Sequence, residues 1–423
     1  MNTGKHFAIQ NTNQTKIASG DDAGYLQTSS AIGFIIPAGV SAHMQLENIY
    51  IRNGAPIDIK PTASLTLILG DGTKNKVDSN NIAHAAIHCP TGANLFVDDT
   101  VRNITSDGTH ITPENGVVPY DCTLLNGKSV SKGDPLAVLD SSNPGELYAV
   151  GSAYQSAAAI GANNIGVYDR DQQYCQGEPG GNMTFDGGLV TAICGDNVAR
   201  GDNNSRPFPN EGAGIGGCEC GNGTGLHEWI TINGGRVIAY GACHGSGIGA
   251  GVHAASGNIR INGGYVESWG GWHGNGFGGG CSPHDSSQFQ IILTGGTLLP
   301  ATRYNGTEAG RVFYDAGAPS LQVQVTGGSL GNDKGASGFK FDGTAVNGQG
   351  EPIEMVEIDL TADVKNKTYK ITNWNLLVDG KPYPYGAPAE FDKGHLYLWL
   401  PKTIKDNSEI TVDLSYLNTD ELD

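Results

Sequence analysis

Basic residues are scarce in this chain: 25 lysines and arginines stand against 43 aspartates and glutamates, a formal net charge of −18. A sequence-independent grip on nucleic acid or anionic lipid needs the opposite excess, so the balance argues against both partners. No stretch approaches about 18 consecutive apolar residues, and membrane insertion is therefore not expected. The opening residues, MNTGKHFAIQ, carry no secretory h-region, which leaves a removed leader or another route of exit, such as that of a virion part.

Motifs of several common chemistries are missing too. There is no GxSxG elbow, no HExxH, no Walker loop and no DxDxDG calcium loop, and threonine does not recur as the TxT stretches of an ice-binding face. The eight cysteines, at 89, 122, 175, 194, 218, 220, 243 and 281, are too sparse for a disulfide scaffold and form no CxxC pair. Cys218 and Cys220 make a lone CxC, a weak signal for metal. Mostly reduced structural cysteines are expected, with one or two disulfides or metal ligation as the lesser readings.

What the chain has in abundance is glycine, 64 residues, with 19 prolines and a hydrophobic share of 38%. Each glycine inside a helix costs about 1 kcal/mol relative to alanine, so a helix-rich protein is excluded. The glycines keep no strict third-residue period, which excludes collagen. They close alternating runs instead: MTFDGG ends at Gly188, ITINGG at Gly235, IRINGG at Gly264, ILTGG at Gly296 and VQVTGG at Gly328. A second mark follows the first three as GAGIGG, GSGIGAG and GNGFGGG.

GGRVIAYGACHGSGIG aligns without a gap on GGYVESWGGWHGNGFG, so each residue matches the one 29 positions later. Each unit divides into a strand with alternating isoleucines (Ile230 and Ile232; Ile259 and Ile261), a strand after the glycine pair (Val237; Val266) and a strand at GIG. Three strands and three turns in roughly 30 residues make one coil of a parallel β-helix, stacked on its neighbour about 4.8 Å away. A propeller blade would need about 40–45 residues. The chirality rule for parallel connections makes the coil right-handed.

The expected fold is all-β: a right-handed parallel β-helix with a small C-terminal β-sandwich-like domain. Residues 1–106 read as N-terminal coils and cap, with Ile87 in the place that Ile215 and Ile248 take later. Residues 107–150 read as an inserted hairpin, 151–350 as the glycine-rich coils, and 351–423 as the C-terminal domain, which also covers an aggregation-prone end. Two further polar insertions lie near 163–181, with Asp169, Arg170 and Asp171, and near 195–210.

The succession APIDIKPTASLTLILGDGTKNKV, AAIHCPTGANLFV and repeated GAGIGG…ITINGG, with the tail LLVDGKPYPYGAPAEFDKGHLYLWLP, resembles the Gly-rich β-helical surface proteins of gut-type clostridia, often labelled carbohydrate-binding domain-containing proteins. The resemblance covers roughly 35–106 and 150–423. It implies the fold, an extracellular or cell-surface location and an association with carbohydrate, and it carries over no catalytic residue.

Alignment on the GIG mark puts Glu211, His244 and His273 in one column, with Glu308 less securely added. A carboxylate beside imidazoles admits acid–base chemistry, a partial metal site or a solvated corner. A neighbouring column stacks Tyr240 on Trp269 and Ile238 on Glu267, with Arg236, Trp272 and His273 close in sequence. Exposed aromatic platforms suit the apolar faces of sugar rings, and the same residues also suit a capped core edge. A second corner collects His227, Glu228, His253, His284 and Asp285, where acidic loops admit Ca²⁺.

Three functions follow from these features. The first is an extracellular polysaccharide- or glycan-binding or adhesion protein, with Tyr240, Trp269, Trp272, Arg236 and Glu308 as contacts. The second is a glycoside hydrolase or polysaccharide lyase on the same face, drawing on Glu211, Glu267, His244, His273 and Asp285. The third is a viral fibre or receptor-binding protein, which predicts a trimer where the others predict a monomer.

Overall fold

The structure of the protein, a computed structural model, describes residues 5–10, 33–80, 83–99, 105–106, 111, 117–124, 127–134, 143–151, 157–164, 167–169, 174–194, 211–271, 274–280, 289–302, 311–314, 322–330, 340–341, 344–360, 368–392 and 394–418. The strands stack coil on coil as a parallel β-helix. A long face runs from Lys5–Gln10 through Ser41–Glu47, Ser64–Leu69, Asn94–Asp99, Asn182–Phe185, Trp229–Ile232 and Asn258–Ile261 to Gln290–Thr302 and Gln322–Leu330. A second face stacks Tyr50–Asn53, Lys74–Ser79, Glu146–Val150, Leu189–Ile193, Arg236–Tyr240 and Tyr265–Gly270. A third, short ladder forms a corner.

The repeats set this register. Ile230 pairs with Ile259, Val237 with Val266 and Ile248 with Phe277, each 29 residues on and each buried. The corner ladder is one apolar column of register partners: Ile57, Ile87, Ile160, Ile215, Ile248 and Phe277. Inward alternation makes each of these columns part of a single continuous core.

The glycine pairs mark the turn from the long face to the second face. The second glycine of every pair, Gly188, Gly235, Gly264, Gly296 and Gly328, has φ between +68° and +83°, a region costly for residues with a Cβ. Beneath this turn runs a buried side-chain ladder. Asn233 Nδ2 donates to Asp186 Oδ1 at 2.7 Å, Asn262 Nδ2 to Asn233 Oδ1 at 2.8 Å, and Thr294 Oγ1 to Asn262 Oδ1 at 2.6 Å. Replacing Asn233 by alanine removes two of these bonds at once. The expected loss is about 1–3 kcal/mol, read as a lowered midpoint of urea unfolding; an unchanged midpoint would contradict it.

The insertion expected at 107–150 ends earlier than its sequence suggests. Glu146–Val150 is a coil strand, with Leu147 and Ala149 buried and with Lys74–Ser79 and Leu189–Ile193 on either side. Ahead of it, Cys122–Thr123 pairs antiparallel with Ser129–Val130 over a small cluster of Ile111, Val118, Leu124 and Val130. A second hairpin, Val167–Asp169 with Tyr174–Gln176, stands in the 163–181 insertion. The 195–210 segment lies outside the described residues.

Beyond Gly350 the strands become antiparallel. Ile353–Asp359, His395–Pro401, Glu390–Asp392, Thr368–Val378 and Ile410–Asn418 form one hydrogen-bonded path whose two arms share a single hydrophobic cluster. Asp379 and Gly380, at φ +52° and +72°, supply the Asp-Gly turn that returns Thr368–Val378 onto Lys381–Pro382. The domain is tied to the coils through their turns. Gly296 N donates to Ala387 O at 3.0 Å, Gly328 N to Gly386 O at 2.9 Å, and Tyr385 Oη to Gly328 O at 3.0 Å. Ile353 and Trp399 join the core of the β-helix itself. Among the described residues no helix is long and apolar enough to cross a membrane.

Candidate functional site

The side chains of the second face that point away from the core alternate with its core residues. Register turns these into three columns. The first runs Lys74, Glu146, Leu189, Arg236, Tyr265 and Thr297; the second Tyr50, Lys76, Tyr148, Thr191, Ile238 and Glu267; the third Arg52, Asp78, Val150, Ile193, Tyr240 and Trp269, of which Tyr50, Lys76, Ile193 and Thr297 are buried.

Aromatic rings recur along them. Tyr240 and Trp269 stack with ring centroids 6.1 Å apart and planes inclined by 23°. Trp269 Nε1 donates to Glu267 Oε1 at 2.7 Å, and Arg236 approaches the other oxygen at 3.8 Å. The Arg236 guanidinium also lies 4.2 Å from the Tyr265 ring. Each ring in this group is thereby held at a fixed angle by a neighbour rather than free to turn. Farther along the face, Lys76 Nζ sits between the Tyr50 and Tyr148 rings, 5.1 and 5.6 Å from their centres. Tyr50 Oη donates to Asp78 Oδ2 at 2.9 Å.

Glu211 and His244 fall around the corner from Tyr240. They meet in register as the sequence expects, with His244 Nδ1 3.3 Å from Glu211 Oε1, both partly buried. The structure thus joins Arg236, Glu267, Trp269 and Tyr240 into one group and Glu211 with His244 into another. Glu267 is already engaged by Trp269 and Arg236, which suits a positioning role better than that of a free acid. Trp272, His273, Asp285 and Glu308 lie outside the described residues, as does His284.

The CxC reading for metal fails on the bonding of its members. Cys220 is disulfide-bonded, and Cys218 is a buried thiol that donates to the carbonyls of Glu178 and Glu219. Burial pushes the Cys218 and Cys194 thiols up to about 12, which keeps them protonated and inert. Among the described residues no group of three or more His, Cys, Asp or Glu side chains is arranged to hold a metal ion.

One buried charge cluster escaped the sequence reading. His88 donates through Nδ1 to Asp58 Oδ1 and through Nε2 to Glu178 Oε2, both at 2.8 Å. Lys60 Nζ reaches Asp58 Oδ2 at 2.6 Å, and the Asn163 amide donates to Glu178 at 2.8 Å. A ring bonded to carboxylates on both nitrogens must carry both protons. Burial pulls the His88 pKa down, but the two carboxylates outweigh it and hold the imidazolium above its ordinary range. The bond from His88, with help from Lys60 against the opposing effect of burial, lowers Asp58 to about 2. With its two carboxylates matched by His88 and Lys60, this cluster reads as a fastening between two coils and the returning hairpin.

Comparison with family models, with curated proteins and with solved structures gives no match.

Proposed function

We propose that the protein binds polysaccharide along its second face, as an extracellular glycan-binding or adhesion protein. The observation that carries this reading is the Tyr240–Trp269 pair, stacked on the outer surface and braced by Glu267 and Arg236. Sugar rings present flat C–H faces and a rim of hydroxyls. Aromatic side chains cover the first at low entropy cost, and charged groups beside them serve the second. Coils about 4.8 Å apart repeat such contacts along a line, which suits a linear chain better than a compact ligand. Partly exposed Tyr148 extends the same strip.

A hydrolase at the corner beside this face is the second reading, favoured by the contact between Glu211 and His244. The two are separated by incubating the protein with plant, fungal and host polysaccharides and chromatographing the supernatant. Retention on one polysaccharide without released oligosaccharide is expected. Released product would replace the binding reading with catalysis, and Glu211→Gln would then abolish turnover. For a binder, Glu211→Gln leaves affinity within about three-fold, since the carboxamide keeps the shape and most contacts of the acid.

A further inference from the structure

Where the C-terminal domain docks, it leaves a cleft of about 640 Å³ against the long face. That volume falls within the range of about 300–1,000 Å³ typical of small-ligand sites. The floor is a register column, Arg260, Ile292 and Gln324, one coil apart and therefore about 10 Å long. Trp374, Asn375 and Tyr383 of the C-terminal domain form the wall, and Val117 of the inserted hairpin reaches the rim. Trp374 Nε1 donates to Tyr385 O at 3.0 Å, which fixes the angle of its ring.

The charge of this cleft is opposite to that of the protein. In a chain with net charge −18, no aspartate or glutamate is among the described residues that line it, and Arg260 is the one charged side chain among them. Glu351, outside the lining, acts on Tyr383 through its charge, and its Oε2 accepts a hydrogen bond from Asn347 Nδ2 at 2.8 Å. Among the described residues Arg260 has no carboxylate partner; its guanidinium instead stacks 4.2 Å from the Trp229 ring. Stacking occupies the face of a guanidinium and leaves its edge N–H groups to bind a carboxylate in bidentate fashion.

We infer that this cleft is a second carbohydrate site, separate from the aromatic face, and that it takes a sugar unit bearing a carboxylate. Arg260 binds the carboxylate, the Trp374 and Tyr383 rings line the sugar, and the amides of Gln324 and Asn375 meet its hydroxyls. A neutral sugar would leave the one cation of the cleft unused.

The test is isothermal titration of the full chain with trimers of galacturonate, glucuronate and mannuronate, each beside its carboxyl-reduced neutral counterpart. At least one acidic trimer is expected to bind ten-fold or more tightly than its reduced form. Arg260→Met should erase that preference, Arg260→Lys should restore part of it, and Trp374→Ala should weaken both forms. Trp269→Ala removes only what binds at the aromatic face and should leave the preference for the acidic form in place, which separates the cleft from that face. Far-ultraviolet circular dichroism of each variant confirms that it is folded. The inference is overturned if no acidic trimer is preferred, if folded Arg260→Met keeps the preference, or if Trp269→Ala abolishes it.

Discussion

Replacing His88 by leucine is expected to destabilise the protein by about 3–5 kcal/mol, because it leaves Asp58 and Glu178 facing an apolar side chain with their shared counter-charge gone. All three side chains are largely shielded from solvent, so water does not replace the lost partner. The effect carries a pH signature. His88 has a folded-state pKa raised above 6.5, so its contribution is fully present below 6.5 and fades as the pH climbs through the folded value. Asp58 acts in the opposite sense. Its pKa is lowered from 3.8 to about 2, so its contribution holds above 3.8 and is lost as the pH falls toward 2.

Half-buried His84 lies near the same charges, and burial, then the His88 charge, push its pKa down. Its own contribution is therefore lost as the pH falls below 6.5, against the trend of His88. The difference in unfolding free energy between wild type and His88→Leu largely cancels that term. It should be largest near pH 5 and shrink as the pH rises above 6.5. A difference that is flat between pH 5 and 9 would contradict the account.

Gly216→Ala is expected to cost more than about 4 kcal/mol or to prevent folding, the range reserved for substitutions that break a packed structure outright. Gly216 has φ +129°, and a Cβ there would run into the carbonyl oxygen of Gly249 in the next coil. Gly161 and Gly249 stand in the same column with φ +131° and +134°, and each would meet the next coil in the same way. The stack cannot give at one level without moving the others. Gly380→Ala is the control. It also has positive φ, +72°, but its Cβ would meet nothing within 4 Å, so only backbone strain of about 1–2 kcal/mol is added. Equal losses for the two variants in urea unfolding would show that packing against the neighbouring coil is not what the corner glycines provide.

Those glycines also explain how much could be read from the sequence. Where glycine pairs and GIG marks punctuate the chain, register is visible residue by residue. Tyr240 over Trp269 and Glu211 beside His244 follow from alignment alone and are found together. The early coils lack such marks. Ile57 and Ile87 share a column, and each is followed within a few residues by Pro-Thr, yet the intervals differ by one residue. The adjacency of Asp58 and His88 is hidden by that slip. Glu178 arrives from the far end of a hairpin, and no local pattern announces it.

The same lack of marks hides Tyr50, Lys76 and Tyr148, and the pairing of Lys76 with Tyr148 reaches across the 107–145 insertion. The cleft depends on how one domain docks on another through backbone bonds such as Gly328 to Gly386, and hydrophobic periodicity holds no information on that.

Binding of a linear glycan along the aromatic strip is read from native gels cast with each candidate polysaccharide, with wild type run beside Trp269→Ala. One polysaccharide is expected to retard the wild-type protein, and the substitution to weaken retention at least ten-fold, about 1.4 kcal/mol. Retardation of Trp269→Ala equal to that of wild type, or no retardation of either by any polysaccharide, would contradict it.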